Sequence, residues 1–580
     1  MADYLQAYVN TFVEGVNQNH DVSLIKETQM AGGVNLSSRG GKTFTRPGFK
    51  ELGVTIATGK FQGALRYHLS SGDRIVYVID GVVYTLKLSD LSITNHGLQL
   101  KADSDMCFFC QADRYMVIQD DYNPTTWAEK NYPVILHEET LIDQSAEADN
   151  ERVPKGTAMA YGHGRLFVVT AFIYESAVWT SNLGLVGFVA GDIIKAYKPT
   201  DVLLFTEETY LNEGGRLLLP EELGTIHSMI FQKNVMSGVG QGPLIIAAEF
   251  GMSAFSINAP RSTWKDIDLS VVMFSGADDV GSYANRAIIN VNSEVMYRSV
   301  DGIRGMRRTA TETQGGSLEN EPLSADIRPL MELDGRDGQL LASMSTARSR
   351  VLLTSNWDGS VFKSLVSLDL APLASMNQPS PAAFDGIWTG FDFQQVLSAI
   401  YNNTEKHFIF VEDNRLFYLD EDEIHDNLST EIMCRAYTKE HIYGEPFRTK
   451  RVQYMELWLA DVQGSLTITG YYNTDRFPFW SKFGSGVLTA GSDGYRRTQV
   501  RITPTDVDAD DLGVLLDSGY GIQYCIQWTG HAKLLSARMV TTLDKTNKFT
   551  VIGCESESGA SFTPTDDTVL LDDYSDYSVI

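Results

Sequence analysis

From residue 60 to about 425 the chain repeats one pattern: short apolar runs of four to seven residues, rich in Val, Ile, Tyr and Phe, cut by Gly, Asp and Asn. Runs of that length and composition read as strands. Arg74 to Ile79 and Val82 to Leu86 flank Asp80-Gly81, the pair that best accepts the positive φ angles of a type I′ hairpin. Similar units follow. Arg114 to Ile118 leads to Asp120-Asp121, and Arg165 to Thr170 starts a strand that resumes near Ala177. Leu244 to Ala248 turns at Phe250-Gly251 and returns through Ala254 to Ile257, while Val295 to Ser299 turns at Asp301-Gly302. Val351 to Thr354 turns near Asp358-Gly359 and returns through Val361 to Leu368; His407 to Val411 turns at Asp413-Asn414 and returns through Leu416 to Leu419.

The turn centres fall near residues 80, 121, 173, 250, 301, 358 and 413. Most intervals are about 40 to 57 residues, the length of a four-stranded propeller blade. The one longer interval holds Pro199 to Phe205 and Ile226 to Phe231, so it contains an insertion or an extra blade. From 431 to 553 the strands lengthen and alternate: Tyr454 to Leu459, Ser465 to Tyr472, Gly521 to Trp528 and Ala537 to Thr542. This predicts a separate antiparallel sandwich. The expected fold is therefore all-β: a six- or seven-bladed β-propeller followed by an antiparallel β-sandwich-like platform domain. The expected divisions are an N-terminal arm leading into the propeller (1–60, with a short helix at its start), the propeller (61–430), the sandwich (431–553) and an exposed acidic tail (554–580).

Composition changes this picture in two ways. At 580 residues the chain is too long for a single core, which agrees with several domains. Its formal charge of −27 argues against tight binding of nucleic acid, because that affinity comes largely from basic groups displacing counterions. A wall past which DNA slides without sticking is compatible with the charge; so is simple solubility. No basic start followed by an apolar stretch opens the chain, and no apolar run approaches the roughly 18 residues of a membrane span. The expectation is synthesis and folding in a cytoplasm.

Candidate chemistry is sparse. Cys107 and Cys110 form a CxxC, but a zinc ribbon needs a second pair or two histidines, and Cys434, Cys525 and Cys554 lie far downstream. Packing roles are expected for all five. Arg39-Gly-Gly-Lys42-Thr43 matches the end of a phosphate loop, yet Leu36 stands where the first glycine belongs. Asp301-Gly302 departs from an Asp-box hairpin and reads as a plain turn. Asp506, Asp508 and Asp510 have calcium-loop spacing, but Asp511 and Asp517 replace the bend-permitting Gly and the bidentate Glu. Asp420 to Glu423 is acidic without ligand spacing. No catalytic, cofactor-binding or metal-binding residue is assigned, no cofactor is expected, and the chain is not expected to be an enzyme.

The N-terminal stretch carries a resemblance. Phe12-Val-Glu-Gly15-Val16-Asn17, Gly32-Gly33-Val34-Asn35, Arg39 and Thr45-Arg46-Pro47-Gly48-Phe49 resemble the opening of the tail nozzle, or tail stabilisation, proteins of short-tailed bacteriophages. Asn123 to Trp127, Gly164 to Phe167, Phe250 to Phe255 with Pro260, Arg261 and Trp264, Asp301 to Ile303 with Pro322 to Ser324, and Tyr471 to Asp475 before Trp480 fit in order along the chain. The resemblance implies a structural subunit of the virion tail, forming a homohexameric ring below the portal and adaptor rings. Tail fibres or spikes would attach to its flank, and genomic DNA would pass through the channel without specific binding. On this template Gly48 supplies a turn after Pro47, and Phe12 and Phe49 are buried anchors. The competing expectation is a carbohydrate-binding or glycan-cleaving propeller drawing on Trp127, Trp179, Trp264, Trp357 and Trp388; no pair of catalytic acids is evident for it.

Overall fold

The computed structural model describes residues 4–543 and 568–569, apart from 10–11, 13, 40, 122–132, 143–155, 163–164, 171–193, 198–222, 234–240, 256–271, 274–280, 307–321, 371–382, 428, 477–479, 491–493 and 504–517. The described chain is all-β, with short helices at Ala325–Ile327, Arg328–Glu332, Gly335–Leu341 and Glu412–Asn414. Five small antiparallel sheets and two further groups of strands that belong to the large sheet follow one another, numbered as seven. The first holds Phe61–Leu69, Gly72–Ile79, Val82–Lys87 and Ile93–Leu98, and the second Cys107–Ala112, Tyr115–Asp120, Val134–His137 and Thr140–Ile142. The third holds Gly156–Gly162, Arg165–Thr170 and Ile194–Tyr197, and the fourth Ile226–Lys233, Gln241–Ala248, Met252–Phe255 and Val272–Met273. Ile288–Val291, Glu294–Ser299 and Gly302–Gly305 form the fifth; Met344–Ala347, Arg350–Trp357, Phe362–Asp369 and Ala383–Trp388 form the sixth. The seventh pairs Phe393–Tyr401, Thr404–Val411 and Arg415–Asp420 with an N-terminal strand, Gly48–Glu51.

Local chemistry sets the hairpins. Asp80 and Gly81 have φ of 47° and 74° between the paired Ile79 and Val82, the two left-handed residues of a I′ turn. The turns at Phe250-Gly251, Asp358-Gly359 and Asp413-Asn414 fall where the sequence placed them, and the one expected at Asp301-Gly302 sits one residue earlier, at Val300-Asp301 between the paired Ser299 and Gly302; the turn expected near 173 lies outside the described residues, and the one near 121 runs beyond them. Ile75 to Ile79 is buried without a break because both faces of each sheet are covered by neighbours. Tyr67, Val76 and Val78 of the first sheet pack on Cys107, Met116 and Ile118 of the second. Leu397, Phe408 and Phe410 of the seventh pack back on Ala64, Ile75 and Tyr77 of the first. The first strand of every sheet lies against the first strand of the next, and Phe393–Tyr401 lies against Phe61–Leu69, so the sequence of contacts closes on itself.

Beyond residue 431 the strands expected as four separate elements merge into two. Lys450–Thr474 and Ile522–Leu543 pair with each other along most of their lengths. The register shifts between Ala460 and Thr467, where Asp461 and Gly464 have positive φ, so one strand continues through the kink. With Met433–Tyr437, Trp480–Thr489 and Tyr495–Ile502 they form one curled sheet continuous with the sixth and seventh sheets.

The N-terminal arm differs most from expectation. Its start is a strand, Tyr4–Val9, paired antiparallel to Ile522–Leu543, and no helix begins there among the described residues. Gly32–Val34 pairs antiparallel with Met433–Tyr437 and meets Ala383–Trp388 in parallel, and Thr43–Thr45 pairs with Ile522–Leu543. Before it leads through residues 52–60 into the first small sheet, the arm stitches the curled sheet to the sixth and completes the seventh. Such short strands gain their stability from partners already in place, which is why period alone does not reveal them. Within the expected acidic tail, Thr568–Val569 pairs with Trp480–Thr489.

Candidate functional site

The motifs weighed in the sequence do not converge. Cys107 and Cys110 lie three apart on one strand and enter different packing clusters, Cys107 with Met116 and Ile118, Cys110 with Phe108 and Val117. Alternation puts their sulfurs on opposite faces, so they cannot share a metal. Burial pushes the Cys110 thiol up to about 12. Arg39 pairs with Asp369 at 3.3 Å, and Thr43 starts a strand where a phosphate loop needs a helix. Asp420 lies 3.5 Å from Lys406 and Glu421 3.6 Å from Arg39. Asp506 to Asp517, Trp127, Trp179 and Trp264 lie outside the described residues. Trp357 packs on Phe362 and Trp388 on Phe49, away from the axis of the ring.

Three places are built with more care. The first is the seam around Arg46, a fully buried guanidinium. Its Nη1 and Nη2 donate to Asp426 Oδ1 and Oδ2 at 2.9 and 2.6 Å, its Nε to Asn35 Oδ1 at 2.9 Å, and Nη2 also to the Thr389 carbonyl at 2.8 Å. Its carbon lies 4.4 Å from the centre of the Phe49 ring, which meets Trp388, Phe391 and Phe393 edge-on. Asp426 also accepts the Phe49 backbone N–H at 3.0 Å. Gly48 does not make the expected turn: it begins a strand, and a Cβ there would sit 2.0 Å from the His425 carbonyl oxygen. Its glycine is required by close backbone approach. Phe12 and Phe49 are buried, as anchors should be.

The second is a cavity of about 760 Å³ lined by the first strands of all seven small sheets. One end is crossed by Asn285 and Arg286. Asn285 donates to the Thr157 and His227 carbonyls at 3.4 and 2.7 Å. Arg286 donates from Nη2 to the Gln62 and Cys107 carbonyls at 2.5 and 3.1 Å, and from Nη1 to Gln395 Oε1 at 3.3 Å. The Arg286 carbonyl accepts the Met344 N–H at 3.1 Å. Two consecutive residues of the fifth sheet's entry thus bond to all six other sheets. No sequence pattern marks them, because their role exists only once the ring has closed.

The third is the exposed face of the curled sheet. Cross-strand register aligns Arg501, Glu456, Arg538 and Tyr8 in one row. Glu456 takes Arg501 Nε at 2.8 Å and also pairs with Arg538. Burial opposes its ionisation, but the two arginines outweigh burial and hold its carboxyl below the usual range. Arg501 stacks 4.6 Å from the Tyr454 ring and Arg497 5.6 Å from Trp458; Tyr4, Tyr8 and Trp458 are exposed. The opposite face, with Met455, Leu457 and Met539, is in the main core.

No protein-family model and no curated protein sequence matches the chain. Among solved structures it is similar to an extracellular domain from B. thetaiotaomicron assigned to a hybrid two-component system, at 10% identity and a TM-score of 0.35. That match covers 78% of this chain and 47% of the other. A second extracellular domain from the same organism, assigned to a one-component system, matches at 9% identity and a TM-score of 0.37, covering 76% and 46%. The chain spans under half the length of either structure. Likeness at this level carries no argument about function. Among the described residues no helix is long and apolar enough to cross a membrane.

Proposed function

We propose that the chain is a structural subunit of a bacteriophage tail, a nozzle-type protein whose copies form a ring around the DNA-ejection channel. In this reading the seven small sheets are the blades of a β-propeller. Support comes from their closed order and from the N-terminal strand that completes the seventh, an arrangement that hides strand edges by circular closure. The residues that carry the family resemblance, Arg46 to Phe49, are the ones buried at the seam.

The observation that carries the ring is the exposed face of the curled sheet. It presents Arg497, Arg501 and Arg538 with Tyr4, Tyr8, Tyr454 and Trp458 around one Glu456, on a chain of net charge −27. Tyr, Trp and Arg are the residues enriched where proteins bind proteins. A cationic patch on an acidic molecule complements the acidic remainder of another copy, which favours head-to-tail contacts that close by rotation. DNA would pass along the axis of that ring and not through the propeller, whose axis Asn285 and Arg286 cross. Portal or adaptor rings above and fibres or spikes at the flank are the partners that go with this role, and the virion tail is its location.

The glycan-cleaving alternative needs two acids flanking one bond. Glu405 is the one carboxylate among the described residues lining the axial cavity. Negative-stain imaging of the purified full chain tests the ring. Closed rings are expected, of about six copies as the family resemblance implies; a protein that stays monomeric at micromolar concentration and above overturns the reading.

A further inference from the structure

The half of the curled sheet that carries Glu456 ends in a free edge on each side. Tyr495–Ile502 is bonded to Lys450–Thr474 and Tyr4–Val9 to Ile522–Leu543, and no strand pairs with the outer edge of either among the described residues. Both edge strands keep one register along their length, and neither contains Pro or Gly. Native sheets blunt an open edge with such residues, with bulges or with charge, because a straight edge recruits another strand. Trp480–Thr489, farther along Lys450–Thr474, is blunted in this way: it has Gly484 and Gly486, a bulge opposite Gly470 and Tyr471, and Thr568–Val569 laid on its start. The two free edges also differ in charge. Tyr495–Ile502 carries Arg496, Arg497 and Arg501, all exposed, whereas Tyr4–Val9 has no charged side chain. Two arginine edges repel each other, but an arginine edge accepts the uncharged one.

Direction and register agree with such a junction. Tyr495–Ile502, Lys450–Thr474, Ile522–Leu543 and Tyr4–Val9 are successively antiparallel, so the two edges run in opposite directions. A rotation that carries one copy onto the next along the sheet therefore sets Tyr4–Val9 antiparallel to its neighbour's Tyr495–Ile502. Keeping core residues on the core side allows only shifts by even numbers of residues. The fullest overlap sets all six residues of Tyr4–Val9 against 496–501. On the open face Tyr4 then meets Arg501, Gln6 meets Gln499 and Tyr8 meets Arg497, and on the core side Leu5 meets Val500. Within one copy Tyr8 lies in the row of Arg501, so this pairing staggers neighbours by four residues, about 13 Å along the strands. Four residues over four strands is one residue per strand, the ratio of an eight-stranded barrel of shear eight, whose strands tilt by about 36°. Closed barrels tilt their strands by about 35–45°, so the register that overlaps most is also one that closes.

We propose that copies of this chain join edge to edge into one closed β-barrel, Tyr4–Val9 of each pairing antiparallel with Tyr495–Ile502 of the next. This rests on the proposed ring and names the strands that join it. The backbone bonds hold the copies together, and the guanidinium groups of Arg497 and Arg501 lie against the rings of the neighbour's Tyr8 and Tyr4. Both tyrosines, exposed in a single copy, are covered at the junction.

Cysteines placed opposite each other at the junction test the pairing in the full chain. Within one copy Gln6 and Gln499 stand on the outer two of four strands, about 14 Å apart or more at the usual strand spacing, too far for an internal disulfide. Between copies they face each other. Oxidised Gln6→Cys/Gln499→Cys should give a ladder of disulfide-linked multimers on a non-reducing gel. Tyr8→Cys/Arg497→Cys should do the same, and it serves where the first pair disturbs folding. The single variants should give no ladder, nor should Tyr8→Cys/Arg501→Cys, the pair that meets only without stagger. Circular dichroism checks folding, and negative stain shows whether rings are present. Rings without a ladder from either staggered pair overturn the edge pairing and leave the ring standing; monomers in every preparation overturn both. A linked dimer from Gln6→Cys alone means that like edges meet, and a ladder from the unstaggered pair alone means another register. Either result overturns the proposal.

Discussion

The ring of small sheets and the curled C-terminal sheet use the same antiparallel strands but treat their surfaces oppositely. In the ring, both faces of a sheet are covered by neighbours and the N-terminal strand completes the last sheet, so side chains such as Ile75 to Ile79 are buried continuously. In the curled sheet one face is core and the other is open, with Trp458 39% exposed between charged neighbours. Closure leaves little apolar surface uncovered, whereas the open face keeps Tyr4, Tyr8 and Trp458 exposed beside its arginines; in the proposed reading a second copy covers it. What differs is where the unsatisfied surface has been left.

The sharpest way to break this comparison is at the seam that joins the two regions. Arg46→Ala leaves Asp426 buried without its charge partner, which should cost about 3–5 kcal/mol. Denaturation followed by Trp fluorescence should show both regions weakened together; loss confined to one region would mean the arm does not couple them. Gly48→Ala forces backbone away from the His425 carbonyl and should cost about 1–3 kcal/mol, as overpacking does. A thermal melt indistinguishable from wild type would contradict the close approach.

Acid should separate the two regions. Burial holds His407 of the seventh sheet and His441 of the C-terminal region down to about 3 each. The unfolded chain takes up these protons from about pH 6.5 downward while the folded chain does not, so stability falls as pH drops through that window, by about 1.4 kcal/mol per pH unit per group. Asp385 of the sixth sheet, held up to about 6 by burial, works the other way. It keeps its proton in the folded state between about pH 4 and 6 and offsets part of the loss in the ring. Melting curves from pH 7 to 4.5 should flatten for His441→Gln and for His407→Gln, and steepen for Asp385→Asn; equal slopes in all three would refute the assignment. The smallest effect on stability is expected on the open face. Glu456→Gln should change unfolding by no more than about 1 kcal/mol, because partly exposed ion pairs contribute little, and a larger loss in chemical denaturation would make this face part of the core.

Much of the ring could be read from residues alone. Asp80-Gly81, Asp301-Gly302 and Asp413-Asn414 announce hairpins because turn chemistry is local, and the repeat length follows from it. The interval around residue 173 left the count open, since its turn has no such pair. The arm was obscure for the opposite reason. Val34 meets Ile387, and Phe49 pairs with Leu419; strands this short carry no period, and their partners lie hundreds of residues away. Arg46 stood out in sequence as part of a family-like block, but its buried pairing with Asp426 could not be seen there. Arg286 had no signal at all. The expected strands leave gaps at 460–464 and 529–536, and cross-strand pairing between distant residues carries the chain through both.

The central claim is that the open face of the curled sheet is where copies of this chain meet. Sedimentation velocity of the full chain beside the Arg497→Glu/Trp458→Ala variant tests it most directly. The account predicts that the wild type sediments as a closed assembly and the variant as a monomer, with unchanged far-ultraviolet circular dichroism. A wild type that sediments as a monomer, or a folded variant that assembles as well as the wild type, would contradict it.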